Sequence, residues 1–561
     1  MTMDHAHAPP SFWSRYIFSQ DHKVIGIQYL VTAMVMGIVG AGLSVWFRVQ
    51  LAWPGTAGLS PEQYLSFVTM HGTIMIFFVV SLALSSGFAN FLVPLQVGAR
   101  DMAYPFLNML SYWTVVPACL LMLASFFVQG GAAGGGWTAY PPLSVIAPFG
   151  MTMWLLAMAL FIASFTMSSL NVVTTIFNLR ARGMTLMRMP LTAWSYLVAS
   201  VIGLLSFPAL TAAAIMLLLD RHGGTSFYMP AGLVVSGKPL SYAGGTPLLF
   251  QHLFWFLGHP EVYVLVLPAI GIAFDVIAAN TRRPPHGYRI SVYALIVIAV
   301  LGMIVWGHHM FTSGMNPYLG KYFTVATLTI TFPFAALGVN LVASLWKAKL
   351  RINTAMLFAL GLISAIGTGG LGGLYLGNAA ADIHFHDSYF VVGHFHLMIG
   401  VVTMLGTFAA IYHWFPKMFG RRMNEPLGRV HFWGTIVPAM LIFTLMHFQG
   451  LGGMMRRYYE NTQVYVQPVQ GLNPVISILA MVAFAAQILF FVNFFSSIFR
   501  GAKSEENPWQ ATTLEWSAPS PPPHLNWPGE LPEAPRDPYV YGTEGETDFQ
   551  PQWAEPQKAT K

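Results

Sequence analysis

Residues 250–279, FQHLFWFLGHPEVYVLVLPAIGIAFDVIAA, decide the fold class of this chain. Within this apolar stretch only Glu261 and Asp275 have side chains that are ordinarily charged. A helix needs about 20 apolar residues to cross the hydrocarbon core of a bilayer. Because a helix satisfies its own backbone hydrogen bonds, it is the element that can do so in lipid. The stretch therefore predicts a transmembrane helix.

Comparable apolar runs recur along the whole chain of 561 residues, which is 55% hydrophobic and 9% charged. Soluble domains usually carry about 25% charged residues. The periodicity and length of the runs predict about twelve spans. Their approximate ranges are 25–47, 64–93, 106–129, 145–178, 191–220, 250–279, 287–313, 322–346, 354–377, 387–415, 429–449 and 474–499. The predicted fold class is an all-α polytopic membrane protein.

Basic residues in the short loops predict the orientation. The loops that follow even-numbered spans contain Arg100, Arg180, Arg182, Arg188, Arg282, Arg283, Arg289, Lys347, Lys349, Arg351, Lys417, Arg421, Arg422 and Arg429. The opposite loops are sparser in Lys and Arg. Cytoplasmic loops carry an excess of these residues, so both termini are predicted to be cytoplasmic. The net charge of +6 then reflects membrane topology, and no nucleic-acid partner is needed to explain it.

The chain ends differ in composition from the apolar middle. We expect a cytoplasmic tail over 1–20, one transmembrane domain over 21–503 and a proline-rich cytoplasmic tail over 504–561. The first residues lack the pattern of a cleavable signal peptide. The single cysteine, Cys119, excludes an internal disulfide and any multi-cysteine metal site on this chain. Its apolar surroundings in the sequence favour a small packed side chain.

Six histidines stand inside predicted spans: His71, His259, His308, His309, His394 and His396. Ionisable groups in such spans usually face the protein interior and serve a function. From the orientation above and a rise of about 1.5 Å per residue, all six are predicted to lie at one depth in the outer half of the bilayer. One such histidine alone would more often be a packed, hydrogen-bonded side chain. Six at one depth favour a metal-binding layer.

Residue type and spacing indicate what this layer binds. Neutral imidazole suits copper and haem iron, whereas magnesium and calcium prefer oxygen ligands. His394 and His396 are two residues apart, which is about 200° on a helix, so one helix can serve two metal centres. Tyr263 is four residues from His259 and shares its face, whereas Glu261 points elsewhere. A carboxyl group in such a span can pass protons, although a purely structural role also remains open.

Several motifs resemble subunit I of the haem–copper oxidases, in particular the cytochrome c oxidase branch. The resemblance runs from DHKVIGIQYL at Asp21 to Pro523. The most specific motifs are WFLGHPEVY (255–263), WGHHMFTSGM (306–315), HDSYFVVGHFH (386–396) and RRYYE (456–460). Supporting motifs are MHGTIMIFFVV (70–80), NFLVPLQVGARDMAYP (90–105) and GWTAYPPLS (136–144).

The resemblance implies a set of site residues and cofactors. His71 and His396 would ligate a low-spin haem, and His394 a high-spin haem, both of the haem A type. His259, His308 and His309 would bind one copper ion, with Tyr263 cross-linked to His259 and active in O–O cleavage. Further implied sites are magnesium shared with subunit II (His386, Asp387), the haem propionates (Arg456, Arg457, Trp137) and a proton path (Asp101, Asn90, Asn108, Ser164, Glu261).

One part of the chain departs from the family pattern. Where the eighth helix of the family usually reads PTGIK, this chain has PFAALGVN at 333–340, with Phe334 and Leu337 at the threonine and lysine positions. The family's lysine pathway is therefore in doubt. Polar side chains nearby could support a water chain or could simply be packed: Thr324, Thr327, Thr329, Thr331 and Asn340. Phe165 also stands where the family often has a serine of the first path.

The implied activity is the reduction of O₂ to water in a bacterial cytoplasmic membrane, coupled to proton pumping. The implied partners are subunit III, a subunit II with a dinuclear copper site, and cytochrome c or a similar donor. A quinol oxidase of the same fold stays open as an alternative, because the dinuclear copper would lie on another chain. Tyr263 argues against a nitric oxide reductase, and the histidine layer argues against a transporter.

Overall fold

The computed structural model describes residues 11–461, 463–542 and 549–555. Within these ranges eleven helices are long and apolar enough to cross a membrane. They are α1 (His22–Ala52), α2 (Pro61–Val97), α3 (Pro105–Phe127), α4 (Gly150–Asn178), α5 (Leu191–His222), α6 (Pro247–Thr281), α8 (Pro317–Leu345), α9 (Thr354–Leu376), α10 (Tyr389–Phe419), α11 (Glu425–Leu451) and α12 (Leu472–Arg500). The predicted all-α polytopic membrane fold is confirmed. Parts of both predicted tails lie outside the described residues.

The seventh predicted span, 287–313, differs from the others. Its α-helix, α7, covers only Tyr288–Gly302, which is shorter than a full span. After a short irregular connection a 3₁₀ helix follows at Trp306–Met310. His308 and His309 therefore lie in this tighter turn and not in an α-helix. A Cβ atom on Gly307 would come within 2.3 Å of the Phe323 ring, so the turn approaches α8 as only glycine permits.

Three of the long helices are irregular. Between α-helical ends, α2 is a π-helix over Ile74–Phe88, and α10 is a π-helix over His396–Val401. The helix α8 consists of two α-helical segments, Pro317–Thr329 and Thr331–Leu345. Wide π turns are rare and occur frequently at functional sites. Both π segments here begin beside a predicted metal ligand, close to His71 and at His396.

The helix α6 lies at the centre of the bundle. About 94% of its most apolar window is buried, against 22% for α1 and for α12. It packs extensively on α5 and also contacts α2, α10 and the Trp306–Met310 turn. A helix that is buried all round has no single apolar stripe. Its few polar side chains, including His259 and Glu261, therefore face other parts of the protein and not lipid.

Short elements lie between the long helices, before α1 and after α12. They are α-helices at Leu143–Ile146, Ala379–Phe385 and Gln467–Gln470; 3₁₀ helices at Leu186–Arg188, Val464–Val466 and Leu514–Ser517; a π turn at Trp13–Ile17; and strands β1 (Val234–Val235) and β2 (Lys238–Pro239). The strands pair antiparallel, with Val234 opposite Pro239. Most of these elements contribute little core of their own.

The described part of the C-terminal tail packs against the start of α1. The side-chain oxygen of Asn526 lies 3.0 Å from His22 Nε2 and 2.9 Å from Lys23 Nζ. Asn526 also donates to the carbonyl of Ala99 at 2.8 Å. The start of α1 and this part of the tail thus lie on one face of the bundle. We call this the inner face.

Candidate metal centre

Three histidines converge between α6 and the Trp306–Met310 turn. One possible ligand atom from each of His259, His308 and His309 lies within 4.8 Å of the other two. His259 Nδ1 and His309 Nε2 are 3.3 Å apart. Two metal–nitrogen bonds of about 2 Å, meeting at a tetrahedral angle, separate their nitrogen atoms by roughly 3.3 Å. The cluster therefore fits a single copper ion.

Neighbouring side chains orient these imidazoles. His308 Nδ1 is 2.9 Å from Thr327 Oγ1, which leaves Nε2 of that ring for a metal. The Trp255 ring stacks on His309, with 3.8 Å between the ring centroids and 9° between the ring planes. His259 Nε2 is buried and has no hydrogen-bond partner in the described chain. Such supporting contacts fix the ring orientation and the proton position of metal-binding histidines.

Tyr263 lies beside the cluster, as its spacing from His259 predicts. The two ring centroids are 4.9 Å apart, and the planes are inclined by 73°. Glu261 points to another helix, because Ser81 of α2 donates to its Oε1 at 3.1 Å. The second oxygen, Oε2, is buried without a partner among the described residues. A buried carboxyl oxygen without a partner suggests room for a water molecule.

A second pair of histidines joins α2 and α10. The rings of His71 and His396 are nearly parallel, at 8°, with centroids 6.3 Å apart. Two metal–nitrogen bonds of about 2 Å, plus the distance from each nitrogen to its ring centre, give roughly 6 Å. Nδ1 of His71 donates to Gly40 O at 2.8 Å, and Nδ1 of His396 to Val392 O at 2.9 Å. Both Nε2 atoms thus keep their lone pairs, and one metal ion would fit between the two rings.

His394 faces away from that pair, toward α9. Its Nδ1 donates to Gly369 O at 2.8 Å. A Cβ atom on Gly372 or Gly373 would come within 3.1 or 3.2 Å of its ring, so α9 can approach closely. His394 is also an electrostatic neighbour of His308. As the two-residue spacing predicts, His394 and His396 serve opposite faces of α10.

Comparison with known proteins agrees with this geometry. Residues 24–485 match the family described as cytochrome c and quinol oxidase polypeptide I. The alternative cytochrome c oxidase subunit 1 of Bradyrhizobium diazoefficiens is 48% identical over 97% of this chain and 94% of its own length. The subunit 1 of Thermostichus vulcanus is 43% identical, over 95% and 94% of the two chains. That of Cereibacter sphaeroides is 38% identical, over 92% and 95%.

The chain belongs to the haem–copper oxidase subunit I family. A solved haem–copper terminal oxidase dimer shares the fold, with a TM-score of 0.69 and 17% identity over 86% of this chain and 85% of that one. The subunit is the catalytic, multi-pass subunit of a terminal oxidase of the cytoplasmic membrane. Family membership implies the haems and the copper, and the three-histidine cluster fits the copper.

Two arginines of the oxidase subunit stand next to the metal layer. Arg456 Nε donates to Asp387 Oδ1 at 2.7 Å. Burial lowers the pKa of Arg457 to about 10, and one of its terminal nitrogens is buried without a partner among the described residues. A Cβ atom on Gly136 would come within 2.6 Å of that guanidinium. A buried guanidinium with a free N–H fits a haem propionate, and the adjoining Trp137 packs edge-on against Trp255.

The two predicted magnesium ligands have protein partners. His386 Nδ1 lies 2.9 Å from Asp382 Oδ2. Burial raises the pKa of Asp387, but the stronger combined attraction of Arg456 and other neighbouring cations holds it below the usual value. Burial raises the pKa of Asp382. Asp382 was missed at the sequence level, although its spacing of four residues from His386 could have indicated it.

The residues of the predicted proton path lie on α2, α3, α4 and α6 and in the loop after α2. Asp101 is partly exposed in the loop after α2, and burial raises its pKa. Both amide atoms of Asn108, and Oδ1 of Asn90, are buried without partners in the described chain. Ser164 Oγ donates to Ser111 O at 2.6 Å and lies 3.3 Å from the Tyr29 hydroxyl.

Tyr29, Ser81 and Ser111 also belong to this region and were missed at the sequence level. Their single polar atoms give no signal in apolar spans until the packing brings them together. Phe165, at the position where the family often has a serine, stacks on Phe207 with ring centroids 4.6 Å apart. That position is therefore occupied by an aromatic contact.

The residues of α8 lie in a different environment from those of the predicted proton path. Leu337 is fully buried in the apolar core. Thr324 accepts a hydrogen bond from Ala379 N, and Asn340 donates to Ser291 Oγ at 2.9 Å. Thr329 is exposed and bonds within its own helix. These polar groups already have protein partners, and only Thr327 touches the histidine cluster.

Proposed function

We propose that this subunit reduces O₂ with electrons from cytochrome c or a similar small redox protein, delivered through a subunit II with a dinuclear copper site. The relatives cited above are named cytochrome c oxidase subunits. The observation that carries the proposal is the His259–His308–His309 cluster with Tyr263 beside it. Subunit III is the further expected partner.

In this proposal three metal sites are formed by α2, α6, α10 and the Trp306–Met310 turn. His71 and His396 would hold a low-spin haem A, and His394 would hold a high-spin haem A. His259, His308 and His309 would hold the copper. When bound, these groups relay electrons, bind O₂ and reduce it. The protein orients its own imidazoles through Gly40, Gly369, Val392 and Thr327.

Two side chains supply the local proton chemistry. Tyr263, at the position of the tyrosine that is cross-linked to the copper histidine in the family, would supply a proton and an electron from its phenol to the reduction of O₂ when the metals are bound. Glu261 holds a proton at Oε2, which has no partner among the described residues, and Ser81 fixes the other oxygen. The position of Glu261 between α2 and the metal layer suits a branching donor for chemistry and for outward pumping. A positioned acid of this kind typically contributes 10²–10⁴ to a rate.

Protons reach Glu261 from Asp101 past Asn90, Asn108 and Ser164. The amide atoms without partners are the support for this route, because buried polar groups of that kind are usually satisfied by ordered water. On the outer side, Arg456, Arg457 and Trp137 would hold the haem propionates. His386 and Asp387 would hold magnesium together with subunit II.

The test is an optical spectrum of the purified, dithionite-reduced complex before and after carbon monoxide, with copper and iron analysis. We expect two irons per subunit I, an α-band at the red position of haem A, and a carbon monoxide shift in one haem only. A single haem would overturn the ligand assignment. A His394→Ala variant should lose the carbon monoxide shift. The matched control is His447→Ala, because His447 of α11 hydrogen-bonds within its own helix, to Phe443 O at 2.7 Å; this variant should keep the shift.

The electron donor needs its own experiment, because the matched family includes quinol oxidases. The purified complex should oxidise reduced cytochrome c and show no quinol oxidation in its absence. If the complex oxidised quinol in the absence of cytochrome c, quinol would replace cytochrome c as the proposed electron donor. It would leave the oxygen site unchanged.

A further inference from the structure

Two buried carboxyl groups meet on the inner face, away from the metal layer. Asp275 lies near the end of α6, and Glu515 lies in the tail; both are almost fully buried. The Gln96 amide nitrogen is 3.0 Å from Asp275 Oδ2 and 3.3 Å from Glu515 Oε1. Because one nitrogen bonds both, these two oxygen atoms are no more than about 6 Å apart.

Neutral donors surround the pair. The Tyr539 hydroxyl donates to Asp275. Trp414 Nε1 and Thr513 Oγ1 donate to Glu515 Oε1, at 3.2 and 2.9 Å. The other oxygen, Glu515 Oε2, is buried and has no partner among the described residues. An ionised oxygen left in this state is costly, and two neighbouring carboxylates disfavour simultaneous ionisation.

The charges around the pair favour one bound proton. The other titratable groups that face it are Lys417 of α10, Tyr196 of α5, Tyr288 of α7, and Tyr539 and Tyr541 of the tail. The tyrosines are neutral at ordinary pH, and Lys417 offsets one carboxylate. The negative charge of the second carboxylate is neutralised most simply by a proton on Glu515 Oε2, the oxygen without a partner among the described residues.

We propose that Asp275 and Glu515 together bind one proton, and that this proton stabilises the contact between the tail and the inner face. Loss of the proton leaves two negative charges between α6 and the tail, which weakens their contact. The raised pKa of the Glu515 carboxyl, caused mainly by burial, supports this. Because the docked state holds a proton that the undocked state releases, docking is strong at low pH and weakens as pH rises through the pair's titration.

Hydrogen–deuterium exchange of the tail in the intact oxidase complex tests the proposal. Protection of amides in residues 511–542 is measured across pH, after correction for intrinsic exchange. One released proton predicts that protection falls up to about tenfold per pH unit above the titration point. In Glu515→Gln and in Asp275→Asn one of the two charges is absent, so both profiles should become flat over the same range.

The matched control is Glu505→Gln, an exposed glutamate of the same tail, which should keep the wild-type profile. Reduced haem spectra verify that each variant is folded. If one variant fails to fold, the pH profiles of the other variant and of the wild-type protein still test the proposal. A flat wild-type profile overturns the proposal, as does a pH dependence that survives in both single variants.

Discussion

The α2–α6 side and the α8 side of the metal centre differ in how their polar atoms are satisfied. On the α2–α6 side, amide and carboxyl atoms of Asn90, Asn108 and Glu261 are buried without partners among the described residues. On the α8 side, Leu337 is packed in the core, and Thr324 and Asn340 already have protein partners. Glu261 is two residues from His259 of the cluster, and Thr327 contacts His308.

This difference indicates that ordered water can be accommodated on the α2–α6 side. The α8 side offers few free hydrogen-bonding atoms to hold water. Buried polar atoms without protein partners are usually satisfied by ordered water, and water chains carry protons. Apolar side chains packed to native density leave no such room. We therefore expect the α2–α6 side to carry the main proton supply, and four variants test this from the largest expected effect to the smallest.

Glu261→Gln keeps the shape of the side chain and removes its exchangeable acid proton. Turnover should fall by about 10²–10⁴, the range for a positioned proton donor. Oxygen consumption of the purified complex measures this, and unchanged reduced haem spectra verify the fold. Ser81→Ala, which removes only the partner of Glu261, should cost far less. If Glu261→Gln kept wild-type turnover, the expectation that the α2–α6 side carries the main proton supply would be wrong.

Thr327→Val removes the hydroxyl group that orients His308, the one polar contact from α8 to the cluster. Loss of such a supporting contact typically costs about 10–100-fold in metal affinity or activity. The ratio of copper to iron should therefore fall together with turnover. Thr329→Val on the exposed face of α8 is the control and should change neither. Full copper occupancy with normal turnover in Thr327→Val would contradict the role of this contact.

Asp101→Asn removes the carboxyl group at the start of the proposed path. Turnover should fall roughly tenfold, which corresponds to about 1.4 kcal/mol in the barrier. Because burial raises the pKa of Asp101, this carboxyl keeps its proton to higher pH than a free aspartic acid. Wild-type turnover should decline as the inner pH rises through that pKa, and the variant should lack this decline. Arg100→Gln, at the exposed neighbouring position, should keep it.

Leu337→Lys places the family's lysine in its usual position. We expect turnover to change by less than about twofold, because the surrounding side chains offer no water chain to the new group. Burying an ammonium group in a membrane protein is costly, so Tm should fall. Leu337→Met controls for the change of shape. A gain of several-fold in turnover would show that the α8 side lacks only this one residue.

The fold and the ligand cluster could be predicted from the sequence because their signals are strong and local. Twelve apolar segments follow from length and composition, and His394 and His396 follow from helical geometry. Glu261 and Tyr263 follow from their spacing to His259 within one apolar span, and the resemblance gave a role to the arginine pair. The end of α7 at Gly302 could not be predicted, because the apolar pattern continues while tertiary packing imposes the turn at Trp306–Met310.

Contacts between residues that are far apart along the chain could not be predicted from the sequence either. Nothing in the pattern connects Gln96, Asp275 and Glu515, which are separated by as many as 419 positions along the chain. The tail reads as a proline-rich extension, yet Leu514, Glu515 and Trp516 are buried. A composition signal reports local backbone preference and does not report which surface a segment covers.

The contact between Asn526 and Lys23 bears on how the subunit is made. These residues are 503 positions apart and share one hydrogen bond. At about 5–20 residues per second, the ribosome needs roughly 25–100 s to synthesise the intervening chain. During that time α1 is present without its tail partner, and the inner face is incomplete. Final closure of the inner face is therefore a late step in biogenesis.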